Sequence, residues 1–241
     1  MGAYKIASAD LVNLPLIEHV AKKNKPMIIS TGMSKISEID EAIETIRSTG
    51  NKNLAVLHCN SSYPSTHAEI NLKFMNNLRS LYQIPVGFSD HTTDLLASKS
   101  AISLGADIVE RHFTLHKRME GPDHLLSSEL NEIKSLVQFK KFYNKFDLWF
   151  GKRNKKEKEQ IKLILGDGVK KIQPNEYLTI NSQKKSLYAS ENINKGEKFT
   201  KVNISIKGPA GGLLPKYMQV ILSKKSKTKI EKDEPITWQS F

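Results

Sequence analysis

Short apolar runs alternate with longer amphipathic stretches through the first half of the chain. The runs are 4-YKIAS-8, 27-MIIST-31, 54-LAVLHC-59, 86-VGFS-89 and 107-DIVERHF-113. Between them lie 14-LPLIEHVAKKN-24, 34-SKISEIDEAIETIRSTG-50, 69-EINLKFMNNLRSLY-82 and 92-TTDLLASKSAISLGA-106, whose apolar positions recur at helical spacing. In the second of these, Ser37 is the expected cap, Ile39, Ile43 and Ile46 the buried face, and Gly50 the stop. Strand and helix return at intervals of roughly 25 to 30 residues, the rhythm of a parallel sheet covered by helices. Five such units are legible.

Beyond the helical pattern of 128-SELNEIKSLVQFKKFYNKF-146 the texture changes. Residues 147–183 are lysine-rich and read as a linker, with 152-KRNKKEKEQIK-162 as a solvated helix. From Lys184 onward short β-runs and turns take over, with Lys195-Gly196 and Asp233-Glu234 at tight turns. The organisation expected is an α/β domain over 1–146, a linker over 147–183 and a small β-rich domain over 184–241.

Polar residues gather at the C-terminal ends of the strands: Ser8, Asp10, Ser30, Thr31, His58, Asn60, Ser89, Asp90, His91, Glu110 and His112. Both a (β/α)8 barrel and an open α/β sheet place their chemistry on that face. His91 and His112 each follow a strand and are candidates to share one divalent metal, although strand-end histidines are also commonly structural. Asp90 and Glu110 beside them are candidate supporting or acid–base groups. Lys5 either points out from its strand or faces the mouth and binds an anion. The loop 58-HCNSSYPSTH-67 suits a polyol or is a plain turn, and Cys59 reads as core.

Composition narrows the classes. The 241 residues are 39% hydrophobic and 7% aromatic, enough for a packed core. A single cysteine excludes a disulfide scaffold. No apolar run approaches the roughly 20 residues of a membrane span, and the opening residues lack the pattern of a secretory signal. Together these lead to the expectation of a cytoplasmic protein with no membrane partner. The net charge of +12 is spread along the chain without nucleic-acid motifs or interleaved aromatics, so no nucleic-acid partner is expected.

The runs 4-YKIASADLVNLPLI-17, 26-PMIISTGMS-34, 57-LHCNSSYP-64, 87-GFSDHT-92, 105-GADIVERHFTLHK-117 and 121-GPDH-124 together resemble the sialic acid synthase family, whose members make N-acetylneuraminate, legionaminate and pseudaminate. The tail, 185-KSLYASENINKGEKFT-200 through 230-IEKDEPITW-238, resembles that family's antifreeze-like (SAF) domain. The resemblance implies a partial (β/α)8 TIM barrel of about five C-terminal βα units plus the SAF domain. It implies a condensation of phosphoenolpyruvate with an N-acyl amino sugar such as N-acetylmannosamine, releasing phosphate.

Carried onto this chain, the resemblance assigns a Mn2+ or Mg2+ ion to His91 and His112. It assigns catalytic positions to Asp10, Tyr63 and Asp123. It assigns substrate contacts to Lys5, Ser8, Ser61 and Ser89, and a domain-swapped homodimer to the assembly. A family arginine that reaches the partner's sugar falls on Gly208, leaving Lys207 beside it as the candidate. Family members begin with about three further βα units carrying a catalytic glutamate, a second phosphoenolpyruvate lysine and an asparagine. Without them the half-barrel alone is not expected to be active. The competing expectation is an inert scaffold whose SAF domain binds sugar or mediates association.

Overall fold

The computed structural model describes residues 2–142 and 146–241. Its first half follows the alternation of the sequence. Strands β1 (Tyr4–Ile6), β2 (Met27–Ser30), β3 (Leu54–Cys59), β4 (Val86–Asp90) and β5 (Val109–Arg111) are parallel and ordered β1-β2-β3-β4-β5. They are linked by helices α1 (Leu14–Ala21), α2 (Ile36–Ser48), α3 (Phe74–Tyr82) and α4 (Leu96–Ser103).

Strand alternation sorts the side chains. Ile6, Met27, Ile29, Val56, Val86 and Phe88 face the helices and join Ile39, Ile43, Ile46 and Leu78 in one core. The pairings Lys5↔Ile28, Leu57↔Gly87, Cys59↔Ser89 and Ser89↔Glu110 mark the other face. That face is concave. Lys5 on β1 meets Glu110 on β5 at 3.2 Å although three strands separate them in the sheet. The sheet is a curled half-barrel, and its concave wall carries the polar residues.

Two local expectations are corrected. Helix α2 begins at Ile36, so Ser37 lies inside its first turn and cannot cap it. The Lys35 N–H is taken instead by Glu38 Oε2 at 2.8 Å, the carboxylate half of a capping box. The stretch read as a solvated linker helix is not solvated all round. It forms α7 (Lys155–Leu165), after α5 (Leu130–Phe142) and α6 (Phe146–Gly151), and fully buries Ile161 and Ile164. Its end is stitched to the main domain by Leu72 N–H and Lys73 N–H donating to the Ile164 and Leu165 carbonyls, each at 2.9 Å. The lysine run hid an apolar pair three residues apart. The helix read over 128–146 is matched by α5 up to Phe142, and residues 143–145 lie outside the described residues.

A last connector helix, α8 (Glu176–Gln183), leads into the tail. There β6 (Ser186–Ala189) and β7 (Ile204–Lys207) pair antiparallel, and α9 (Met218–Ile221) follows. Leu187, Ile193, Phe199, Ile204, Ile230 and Ile236 form a separate small core. The tail rests on its own half-barrel: Lys216 Nζ reaches Glu41 Oε1 at 2.6 Å, and Lys185 N–H donates to the Ala9 carbonyl at 3.3 Å.

Candidate active site

The mouth of the half-barrel is the C-terminal end of its strands. His91 follows β4 and His112 follows β5, and their rings stand 5.3 Å apart between centroids. Tyr63, from the loop after β3, lies 4.3 Å from the His91 ring and 5.9 Å from the His112 ring. Asp123 Oδ2 sits 3.6 Å from His112 Nδ1. Residues from three separate loops thus meet at one point.

Local contacts orient these rings. His91 Nδ1 donates to the Asn60 carbonyl at 2.8 Å, so Nε2 is the nitrogen left for a ligand. On His112, Asp123 flanks Nδ1, so Nε2 is the nitrogen left over. Burial, then the charge of His91, holds the His112 imidazole below its usual range, while, against the pull of burial, Cys59 and the Asn60 carbonyl hold the His91 imidazole above its own, so a metal ion would have to displace a proton from His91. The donor set therefore fits one divalent ion held by two imidazole nitrogens. Among the described residues no group of three or more histidine, cysteine or acidic side chains is arranged as ligands, so the remaining positions would fall to water or substrate oxygens. Burial raises the Tyr63 phenol well above its usual range, which keeps it a proton donor.

A second group lines the concave wall below the histidines. Ser89 Oγ donates to Glu110 Oε1 at 2.8 Å, and Lys5 reaches the same oxygen. Beside them Ser8 Oγ accepts the Gly32 N–H at 3.0 Å. A Cβ on Gly32 would stand 2.0 Å from Ser61 Oγ, so only glycine lets this loop pack against Ser8 and Ser61. Cys59 Sγ lies 3.7 Å from Ser61 Oγ and 3.9 Å from His91 Nδ1, joining the two groups. Asp10 sits in the turn just after β1, where Asn13 Nδ2 donates to it at 3.5 Å.

The strand-end list includes residues that face away. Asp90 is fully buried on the helix side, where it pairs with Arg111 and accepts from Ser98 and from both Thr92 donors. One residue separates Ser89 and His91, and strand alternation turns Asp90 outward, so it does not support the histidines. His58 faces outward too. Its Nε2 lies 2.5 Å from the Ile70 carbonyl and its ring packs on Phe74 and Phe88. Lys207 belongs to the tail, where its amine pairs with Asp233 and lies 5.3 Å from the Tyr188 ring centre. At Gly208 a Cβ would stand 3.1 Å from the Ser182 and Gln183 carbonyl oxygens, so a larger side chain there would push on the end of α8.

Sequence reasoning missed the connector's part in the mouth. Glu176, 1% exposed, accepts the Met33 N–H at 2.7 Å and the Ser61 N–H at 2.9 Å. Lys170 Nζ donates to the Thr31 carbonyl at 2.9 Å. Both sit in a polar, lysine-rich stretch, and nothing in the pattern separates these two charges from the solvated ones around them. Among the described residues, Ser30 Oγ on the concave side of β2 is buried with no partner; its place at a strand end was the clue to it.

The wider comparisons agree with this geometry. Residues 1–146 match the NeuB family model and residues 184–241 the SAF domain model. An uncharacterized protein of Methanocaldococcus jannaschii is 42% identical over 239 residues, 99% of this chain and 66% of the relative. The N,N'-diacetyllegionaminic acid synthase of Campylobacter jejuni is 38% identical over 235 residues, 97% of this chain and 65% of its own. The chain thus spans slightly under two thirds of these relatives' length. The crystal structure of spore coat polysaccharide biosynthesis protein SpsE from Bacillus subtilis superposes with a TM-score of 0.83 at 29% identity, covering 99% of this chain and 67% of that one. Among the described residues no helix is long and apolar enough to cross a membrane. With a curled parallel half-barrel, a histidine pair at its mouth and an SAF tail, the chain belongs to the NeuB family, and the relatives it matches include proteins named as N,N'-diacetyllegionaminic acid and pseudaminic acid synthases.

Proposed function

We propose that the protein condenses phosphoenolpyruvate with an N-acyl amino sugar, N-acetylmannosamine or a diacetamido-trideoxy hexose, to give a nonulosonic acid and phosphate. The observation that carries this reading is the meeting of His91, His112, Tyr63 and Asp123 directly above the Lys5–Ser8–Ser61–Ser89 wall. The reading takes the sheet as part of an eight-unit barrel.

His91 and His112 would hold a Mn2+ or Mg2+ ion, which when bound polarises the sugar aldehyde as a Lewis acid. Lys5, now paired with Glu110, supplies positive charge to an anionic group of phosphoenolpyruvate, and the serine hydroxyls donate to its oxygens. The enol carbon of phosphoenolpyruvate bonds to the aldehyde carbon. Water adds at the neighbouring carbon, which expels phosphate. Tyr63, protonated and tilted against the His91 ring, donates to a sugar oxygen. Asp123 and Asp10 accept sugar hydroxyls and exchange protons there. A dimer in which one tail reaches the partner's sugar is part of this proposal, with Lys207 as the contact once it leaves Asp233.

The test has two readouts. Mn2+ binding is followed by loss of the free-ion electron paramagnetic resonance signal, and catalysis by phosphate release with each sugar. His91→Ala and His112→Ala are expected to lose both. Wild-type Mn2+ binding and phosphate release in both variants would overturn the proposal.

A further inference from the structure

Glu176 is a buried carboxylate far along the chain from every residue assigned to the reaction. Burying a carboxylate is costly unless donors replace its water. Here the donors are backbone N–H groups: Met33 at 2.7 Å and Ser61 at 2.9 Å on Oε1, and Gln173 at 3.0 Å on Oε2. Met33 lies in the loop after β2 and Ser61 in the loop after β3. One oxygen atom therefore ties two adjacent mouth loops together.

The tie acts on the substrate wall through very short links. Gly32, next to Met33, donates to Ser8 Oγ and leaves no room for a Cβ against Ser61 Oγ. The spacing of the Ser8 and Ser61 hydroxyls thus follows from the separation of the two loops, and that separation is set by the shared Glu176 oxygen. The clamp continues on the other side of the same residue. Lys184, just past α8, donates from Nζ to the Met33 carbonyl at 2.9 Å and to both Glu38 oxygens at 2.8 and 2.9 Å. The N–H and C=O of Met33 are each taken by a charged side chain from one end of α8.

We propose that Glu176 is a positioning residue for the substrate cradle, holding Ser61 and the Gly32–Met33 loop so that the Ser8 and Ser61 hydroxyls converge. This rests on the synthase reading for the identity of the ligand, phosphoenolpyruvate. The chemistry distinguishes substitutions. Glutamine keeps a carbonyl oxygen for the Met33 and Ser61 donors and gives up only the Gln173 N–H, which its Nε2 cannot accept. Aspartate is one methylene shorter and cannot hold both at these distances.

Glu176→Ala, Glu176→Asp and Glu176→Gln are compared with wild type in three measurements on the full chain: calorimetric titration with phosphoenolpyruvate, Mn2+ binding, and amide hydrogen exchange at Met33 and Ser61. Alanine and aspartate are expected to weaken phosphoenolpyruvate binding by about tenfold or more, as loss of orientation does, with Mn2+ affinity within about twofold. Exchange at both amides quickens in these two variants, and glutamine restores both properties. Phosphoenolpyruvate affinity unchanged in both alanine and aspartate variants overturns the proposal, as does a parallel loss of Mn2+ affinity, which would mark general damage. Should Glu176→Ala fail to fold, the aspartate–glutamine pair decides alone. If wild type binds no phosphoenolpyruvate, the synthase reading has failed separately. The exchange data then decide the clamp, and unchanged exchange in the aspartate variant overturns it.

Discussion

Glu110 on β5 holds the amine of Lys5 on β1 at 3.2 Å across the open concave face. Both groups are about one-third exposed, at 32% and 39%, so water screens them and the pair adds at most about 1 kcal/mol to stability. Its significance lies in what it keeps in place. Lys5→Met is therefore expected to leave the thermal midpoint nearly unchanged and to weaken phosphoenolpyruvate binding by about tenfold or more, as loss of a charge-assisted contact does. Calorimetry and a melting curve on the same sample check both halves. A large drop in stability with unchanged binding would contradict the assignment of Lys5 to the mouth.

Asp90 and Arg111, both essentially inaccessible, make the opposite case. Removing one partner of a buried pair leaves the other unpaired, at a cost of about 3–5 kcal/mol. Asp90→Ala should lose stability of this order in urea denaturation while Mn2+ affinity stays at the wild-type level. Weakened Mn2+ binding in still-folded protein would return Asp90 to the site.

His58 sets an acid limit. Burial, with the charge of Lys170 adding to it, lowers its pKa to about 3. The folded state thus holds His58 neutral at pH values where the unfolded chain protonates it. The stabilisation is complete above the unfolded value near 6.5. It is lost as pH falls from there toward about 3, on the order of 1 kcal/mol per pH unit. Denaturation midpoints measured between pH 7 and 4 should fall along this slope, and His58→Leu should flatten it. An equally steep acid limb in that variant would assign it to other groups.

Ile164 tests whether the lysine-rich connector is part of the domain. It is fully buried in the main core. Ile164→Ala should cost about 2–5 kcal/mol. Lys156→Ala on the exposed side of α7 should fall within about 0.5 kcal/mol of wild type. Equal, small effects in equilibrium unfolding would restore the free-linker picture.

These contrasts show where a single sequence informs and where it stops. Strand and helix alternation placed β1 to β5 and the face of α2 because periodicity reports burial directly. The histidine pair was legible as strand-end chemistry, and the family motifs singled it out. Asp90 was misjudged because proximity in sequence ignores the side on which a strand side chain emerges. Glu176 and Lys170 were invisible for a different reason. Their partners, Met33, Ser61 and Thr31, lie more than a hundred residues away, and the contacts are to backbone atoms that carry no sequence signature. Ser37 failed as a cap because the helix starts at Ile36 and the carboxylate of Glu38 takes the N–H of Lys35, two residues earlier.

The arrangement at Met33 also has a mechanical side. Helix α8 is a stiff strut of about 12 Å, fastened at its first residue to the two mouth loops and, just beyond its last, to Met33 and α2. The tail begins where the strut ends. Swinging the tail away would pull on the peptide that directly follows the one Glu176 holds, and so on the loop that carries Gly32 to Ser8.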